Sequence, residues 1–389
     1  MQNNMHGKIL VVTSIEPNQF NSGGHPSGLI WEILNSFRMK EVTYDLEIYS
    51  DPSSGLRKRF HQYGFLYHDK LKIKEEYSSI LVYPENIIAY IPKRFRSRCI
   101  VLGPDSPSLR DARLYRASKG TVFRIIRLGM YFLSLYHEYL LLKQSYRVLV
   151  VGRTDQLWMR LFNQRIKRNP RLIKKVRFLR HPFLSKVVFP LSDLVYKKDN
   201  KTNHSYRRFV FSGFINERYT CDFIGDVIRH LDKNIKYHFV ITGSRNAWLA
   251  ELLKKNKLWI VDYYKWIEDY RDVCQIGKDI HCLPDRVGAG TKNRGLTALI
   301  NGLEIITTPF GIENIKHAHL SGIYIAESPR LYAQYMANLF KSRNSDAFIS
   351  NILKERREVR FSIEHLYEID INQLMIDLYQ LQECKAQSG

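Results

Sequence analysis

The segment from Leu283 to Glu313 combines the residue types and spacing best suited to binding a phosphorylated ligand. An apolar run, Asp279–Leu283, stops at Pro284; Gly288 and Gly290 follow, then Lys292 and Arg294 at the start of a stretch with helical spacing to Asn301. Glycines have no Cβ and let a backbone approach a ligand closely. The first turn of a helix presents amide groups and the positive end of the helix dipole. Two cations at that end add charge-assisted hydrogen bonds, each contributing roughly 1.5–3 kcal/mol. A diphosphate fits this pattern.

Such a loop needs a strand before it and a helix after it, and the sequence supplies that unit repeatedly. Lys8–Ser14 is a β-branched run followed by a loop carrying Gly23, Gly24 and His25, and then by helical spacing from Leu29 to Phe37. Further strands are expected at Tyr44–Tyr49, Ser79–Tyr83, Cys99–Leu102 and Arg147–Val151, with a helical region over Thr121–Ser145. After the polar stretch Lys197–Ser205, a second series is expected at Arg208–Ser212, Tyr237–Thr242, Leu258–Val261, Asp279–Leu283 and Leu303–Thr308. Helices are expected at Trp248–Lys255 and Arg294–Asn301 and in an amphipathic tail, Ile363–Glu383. Strands alternating with helices predict parallel sheets covered on both faces. The expected division is residues 1–196, residues 206–362, and a C-terminal helix over 363–389 that crosses back to the first domain.

The Leu283–Glu313 segment resembles the nucleotide-sugar-binding half of family-4 glycosyltransferases of the GT-B architecture. The family pattern is matched at Pro284, Gly288, Gly290, Ala298, Gly302, Thr308, Gly311 and Glu313. Phe209–Gly213 and Val240–Gly243 look like two of that family's C-terminal-domain strands. Gly103–Leu109, Glu138 and Val150–Asp155 look like the N-terminal domain of a bacterial branch. The resemblance implies an α/β chain of two Rossmann-like, doubly wound domains facing across a cleft. It also implies retaining, metal-independent transfer of a sugar from a nucleotide diphosphate sugar to a glycan or lipid-linked acceptor, in bacterial capsule, O-antigen or exopolysaccharide synthesis. Implied donor contacts are Gly23, Gly24, Gly213, Gly243, Gly288, Gly290, Thr291, Lys292, Arg294, Thr297, Gly311 and Glu313, the last expected at the start of a helix after Thr308. Arg294 stands where the family has lysine, and Thr297 where it has the glutamate that grips the ribose.

The resemblance implies that Arg218 steadies the departing diphosphate; it equally suits a surface position or a pair with Glu217 beside it. Asp105 and Asp155 each follow a strand and suit a proton acceptor for an acceptor hydroxyl; Asp155 equally suits a helix N-cap, and His25 a loop position. His181 and His281 have no ligand partners at metal-binding spacing and no Asp-x-Asp pair occurs, so no metal and no cofactor beyond the donor are expected.

At 389 residues the chain exceeds what one hydrophobic core usually serves, so two domains are the natural expectation. Its five scattered cysteines fit a reducing cytosol better than a disulfide framework. The most apolar stretch, Leu128–Leu142, contains His137 and Glu138 and is shorter than the ~20 residues of a spanning helix. A net charge of +22 calls for an anionic partner. Phosphorylated donors and an anionic membrane surface both answer it, and the expected location is cytoplasmic, with peripheral association at the inner membrane. Nucleic acid is not expected, because no nucleic-acid-binding signature occurs. Two rival readings remain: a catalytically inactive GT-B-like binding subunit, motivated by Thr297, and a basic nucleic-acid-binding protein, motivated by charge alone.

Overall fold

The computed structural model describes residues 8–18, 26–49, 71–103, 105–162, 169–180, 188–196, 207–213, 215, 218–316, 319–342 and 345–386. The chain divides into two compact units. Unit 1 is Met1–Phe183 with Glu364–Gly389, and unit 2 is Leu184–Ile363.

Unit 1 is built on a parallel sheet in the order β2-β1-β3-β4-β5-β6. Its strands are β1 (Lys8–Thr13), β2 (Tyr44–Ile48), β3 (Tyr77–Tyr83), β4 (Cys99–Gly103), β5 (Arg147–Val150) and β6 (Val176–Phe178). The apolar run in β1 is continuous because both faces are buried. Ile9 and Val11 pack with Leu29, Ile33 and Phe37 of α1 (Pro26–Met39), while Leu10 and Val12 pack on the opposite face with Leu141, Leu142 and Met159. The connections beyond β4 are α2 (Pro107–Ala117), α3 (Thr121–Gln144), α4 (Arg153–Phe162) and α5 (Pro170–Lys175). Ile371, Leu374 and Leu378, from the second half of the last helix, join the α1 face. Arg180 fixes that helix through both oxygens of Asp370 (2.7 and 2.8 Å), and Arg177 does so through Asp377 (3.0 Å).

Unit 2 repeats the plan with the parallel order β12-β11-β10-β7-β8-β9. The strands are β7 (Arg208–Phe211), β8 (His238–Thr242), β9 (Ile260–Tyr264), β10 (Asp279–Leu283), β11 (Glu304–Thr307) and β12 (Ile323–Ile325). They are joined by α6 (Arg218–His230), α7 (Ala247–Leu253), α8 (Asn293–Ile300) and α9 (Pro329–Lys341), and α10 (Asp346–Ala386) then runs on into unit 1. Phe209, Phe239, Ile280 and Ile306 make one core face with Phe223 and Tyr332; Leu283, Leu299 and Ile305 make the other. Leu191 and Leu194 belong to this second face, so the residues just before the polar stretch pack with unit 2.

Ten of the strands were expected; β6 and β12, three residues each, were not. β9 lies at the sheet edge and is shifted two residues beyond the apolar run Leu258–Val261, with Ile260 and Tyr264 exposed. The expected helix beginning at Glu313 is absent: residues 309–315 form successive turns, with Asn314 at φ 65°.

Candidate functional site

Strand order fixes where unit 2 can hold a ligand. β7 and β10 are neighbours, but the chain leaving β7 goes on to β8 on one side and the chain leaving β10 goes on to β11 on the other. Loops diverging beyond the carboxyl ends of such a pair leave a crevice, the usual ligand position in open α/β sheets. Gly213 follows β7, and the loop bearing Gly288, Gly290 and Lys292 follows β10.

Arg294 joins these two loops. Its Nη1 donates to the Ser212 carbonyl (2.9 Å) and its Nη2 to Asp285 Oδ1 (2.7 Å). Gly213 has φ 73°, and a Cβ there would lie 2.6 Å from Arg294 Cδ, so only glycine lets the arginine pass. The Gly213 carbonyl also accepts from Asn246 Nδ2 (2.6 Å), which ties in the end of β8 beside Gly243, at φ 102°.

The β10 loop is stitched from within and from the turns after β11. Lys292 Nζ donates to the Ala289 carbonyl (2.9 Å), directly under Gly288. Thr308 Oγ1 donates to the Asp285 carbonyl and accepts from Gly311 N (3.2 Å). Asn314 Nδ2 reaches the Gly290 carbonyl (3.0 Å). Lys292, at the N-cap position of α8, makes no side-chain capping hydrogen bond. The structure thus gathers Gly213, Gly243, Gly288, Gly290, Lys292, Arg294 and Gly311 at one end of one sheet, with Thr291 within that loop and Glu313 on the adjoining turns. Thr297 lies one turn along α8 and is nearly buried, at 6% exposure. Arg218 is exposed on the first turn of α6. Gly23, Gly24, His25, His181 and Glu217 lie outside the described residues. Ser212, Asn246, Asp285 and Asn314 were not singled out in the sequence. Asp285 sits inside the motif, but its partner nine residues on leaves no pattern to read.

In unit 1 the three segments quoted for the N-terminal domain converge. Asp155, completely buried in the first turn of α4, accepts from Ser106 N (2.7 Å). Its carboxylate therefore anchors a loop and is closed off from solvent, unlike the exposed proton acceptor expected. Glu138, also buried, accepts from Ser106 Oγ (2.8 Å), Ser108 N (2.9 Å) and Ser108 Oγ (2.7 Å). Burial pushes the Glu138 carboxyl up to about 7; the serine hydrogen bonds pull it down and the charge of Asp155 raises it again. Asp105, half-buried beyond the end of β4, precedes this locked loop. His281 is a core histidine: it is completely buried, its Nε2 lies 2.8 Å from the Val273 carbonyl, and burial pulls its pKa down.

No family model matches the chain, and no curated protein matches its sequence. Solved structures do match the fold. Sucrose-phosphate synthase from Thermosynechococcus elongatus aligns at a TM-score of 0.59 and 12% identity, covering 98% of this chain and 100% of that one. A glycosyltransferase from Rickettsia africae gives 0.56 and 10%, covering 97% and 99%. Anabaena HepE, solved in complex with UDP, gives 0.55 and 9%, covering 95% and 99%. The chain has the GT-B fold. At such low identity the likeness establishes architecture alone, and chemistry has to be argued from the residues.

Proposed function

We propose that the chain is a glycosyltransferase that takes a sugar from a nucleoside diphosphate sugar. The observation carrying this reading is the switch point of the unit 2 sheet, where the glycine loop, the start of α8 and the Arg294 guanidinium meet. A guanidinium has five N–H donors; Arg294 commits one to Ser212 and one to Asp285, and the others are left for a diphosphate. The UDP bound to HepE on the same fold supports a nucleotide in this role.

The finer reading is a family-4-type, retaining, metal-independent enzyme of EC class 2.4. Lys292 and Arg294 supply the positive charge at the diphosphate, and Arg218 assists its departure. Asp105 serves the acceptor hydroxyl, with Asp155 as its anchor rather than a second base. A glycan or lipid-linked acceptor in bacterial surface polysaccharide synthesis completes the proposal.

The test is calorimetric binding of a panel of nucleoside diphosphates and their sugars to the folded chain, followed by product analysis with those that bind. Micromolar binding weakened at least tenfold by Arg294→Ala is the expected result. Absence of binding by every member of the panel sinks the reading. Binding without hydrolysis or transfer favours an inactive binding subunit, which the nearly buried Thr297 in place of a ribose-gripping glutamate would explain.

A further inference from the structure

Cationic charge and exposed apolar surface coincide at one place in unit 1. Helices α2 and α3 form a hairpin whose base is held by Glu138 on Ser106 and Ser108 and by Ser134 Oγ on Asp111 (2.6 Å). That register puts residues 117–128 at the far end, the start of α3 lying roughly 20 Å of helix from Ser134. There Val122, Phe123, Ile125 and Ile126 are 69, 56, 64 and 55% exposed, and Phe132 continues the patch at 60%. With Leu128, at 37%, these side chains cover more than half the helix circumference at ~100° per residue, too wide an arc for one stripe facing a groove.

The charge on the same hairpin is one-sided. From Pro107 to Phe132 there are six basic residues and one carboxylate, Asp111, which is buried. Several arginines elsewhere in unit 1 are engaged in the fold. Arg96 is buried and donates to the Ala89 and Ile91 carbonyls, Arg94 and Arg98 pair with Glu75, and Arg177 and Arg180 hold α10. A second copy of the chain meeting this tip would bring two sets of cations together. A medium that is anionic at its surface and apolar beneath satisfies both features.

We infer that the α2–α3 tip docks on an anionic lipid leaflet. Phe123, Ile125 and Ile126 enter the boundary between headgroups and acyl chains, while Arg116 and Lys119 face the headgroups. The inference does not depend on the sugar-transfer reading, because binding is measured without donor or acceptor. The test is flotation of the full chain with vesicles of phosphatidylcholine, alone or mixed equally with phosphatidylglycerol, at low and raised salt. The expected result is binding to the mixed vesicles only, weakened by salt. Arg116→Glu combined with Lys119→Glu should weaken it at least about 30-fold, and Ile125→Ser combined with Ile126→Ser at least about tenfold. The melting temperature should stay the same, since all four side chains are at the surface. Equal binding to both vesicles, or full binding by the variants, overturns the inference. So does a vesicle-indifferent dimer in sedimentation that Ile125→Ser converts to monomer.

Discussion

Replacing Glu138 with glutamine should make the protein more stable at alkaline pH while leaving it almost unchanged near pH 5. The wild-type carboxyl is buried and its pKa is pushed up from 4.5 to about 7, with burial the largest cause. Between those values the unfolded chain has released the proton and the folded chain still holds it. Folding stability therefore falls as pH rises through this window, and levels off above it. At ~1.4 kcal/mol per pH unit the loss amounts to about 3 kcal/mol. Glutamine fits the same partners. Its oxygen can accept from Ser106 Oγ and Ser108 N, and its amide can donate to Ser108 Oγ, which already accepts from Trp158 Nε1 (2.9 Å). Other groups titrate in both proteins, so the informative quantity is the difference between them. Urea unfolding at pH 5, 6, 7 and 8 should show the wild type losing about 3 kcal/mol relative to Glu138→Gln. Parallel stability curves over that range would refute the reasoning, because they would mean that Glu138 ionises in the fold as readily as in water.

Three further outcomes follow from unit 2. Arg294→Ala leaves Asp285 without its cation, and Asp285 Oδ2 already has no partner among the described residues, so a loss of about 2–4 kcal/mol in urea unfolding is expected. Adding Asp285→Asn to that variant should recover at least about 1 kcal/mol, and strict additivity would contradict the pairing. Gly213→Ala places a Cβ 2.6 Å from Arg294 Cδ at φ 73°; it should cost about 1–2 kcal/mol and weaken nucleotide binding at least tenfold by calorimetry. Gly311→Ala would overlap Thr307 Oγ1 and lie 2.8 Å from the Leu283 carbonyl, giving a stability loss of about 1–3 kcal/mol in the same unfolding assay.

How much of this was legible in the sequence follows from the range of each signal. Strands such as Lys8–Thr13 and Asp279–Leu283 announce themselves because a parallel strand buried on both faces is apolar throughout. Val176–Phe178 and Ile323–Ile325 are too short to show any period, and β9 at the sheet edge lacks the buried faces that would mark its ends. The glycine loop and the start of α8 were readable because their residues are contiguous. The anchoring of Ser106 by Glu138 and Asp155 was not, because they meet it across 32 and 49 residues and only the fold brings them together. The helical region over Thr121–Ser145 was legible too, but composition does not say which of its apolar side chains face a core and which face solvent.

The arginine at position 294, where the resembled family has lysine, has a physical reading in this structure. A lysine ammonium gathers its donors at one point, whereas a guanidinium spreads them around a planar fork. Here the fork reaches two loops at once, the Ser212 carbonyl after β7 and Asp285 after β10, and so holds the two loops at a fixed spacing. Gly213 is the counterpart of that choice, because the aliphatic part of the arginine occupies the space a Cβ would need. Asp285 offsets much of the arginine charge, so attraction between net charges is weaker than two bare cations would provide. At the proposed diphosphate site the gain is preorganisation: the remaining N–H groups belong to a side chain whose position is already determined, and less ordering would remain to be done on binding.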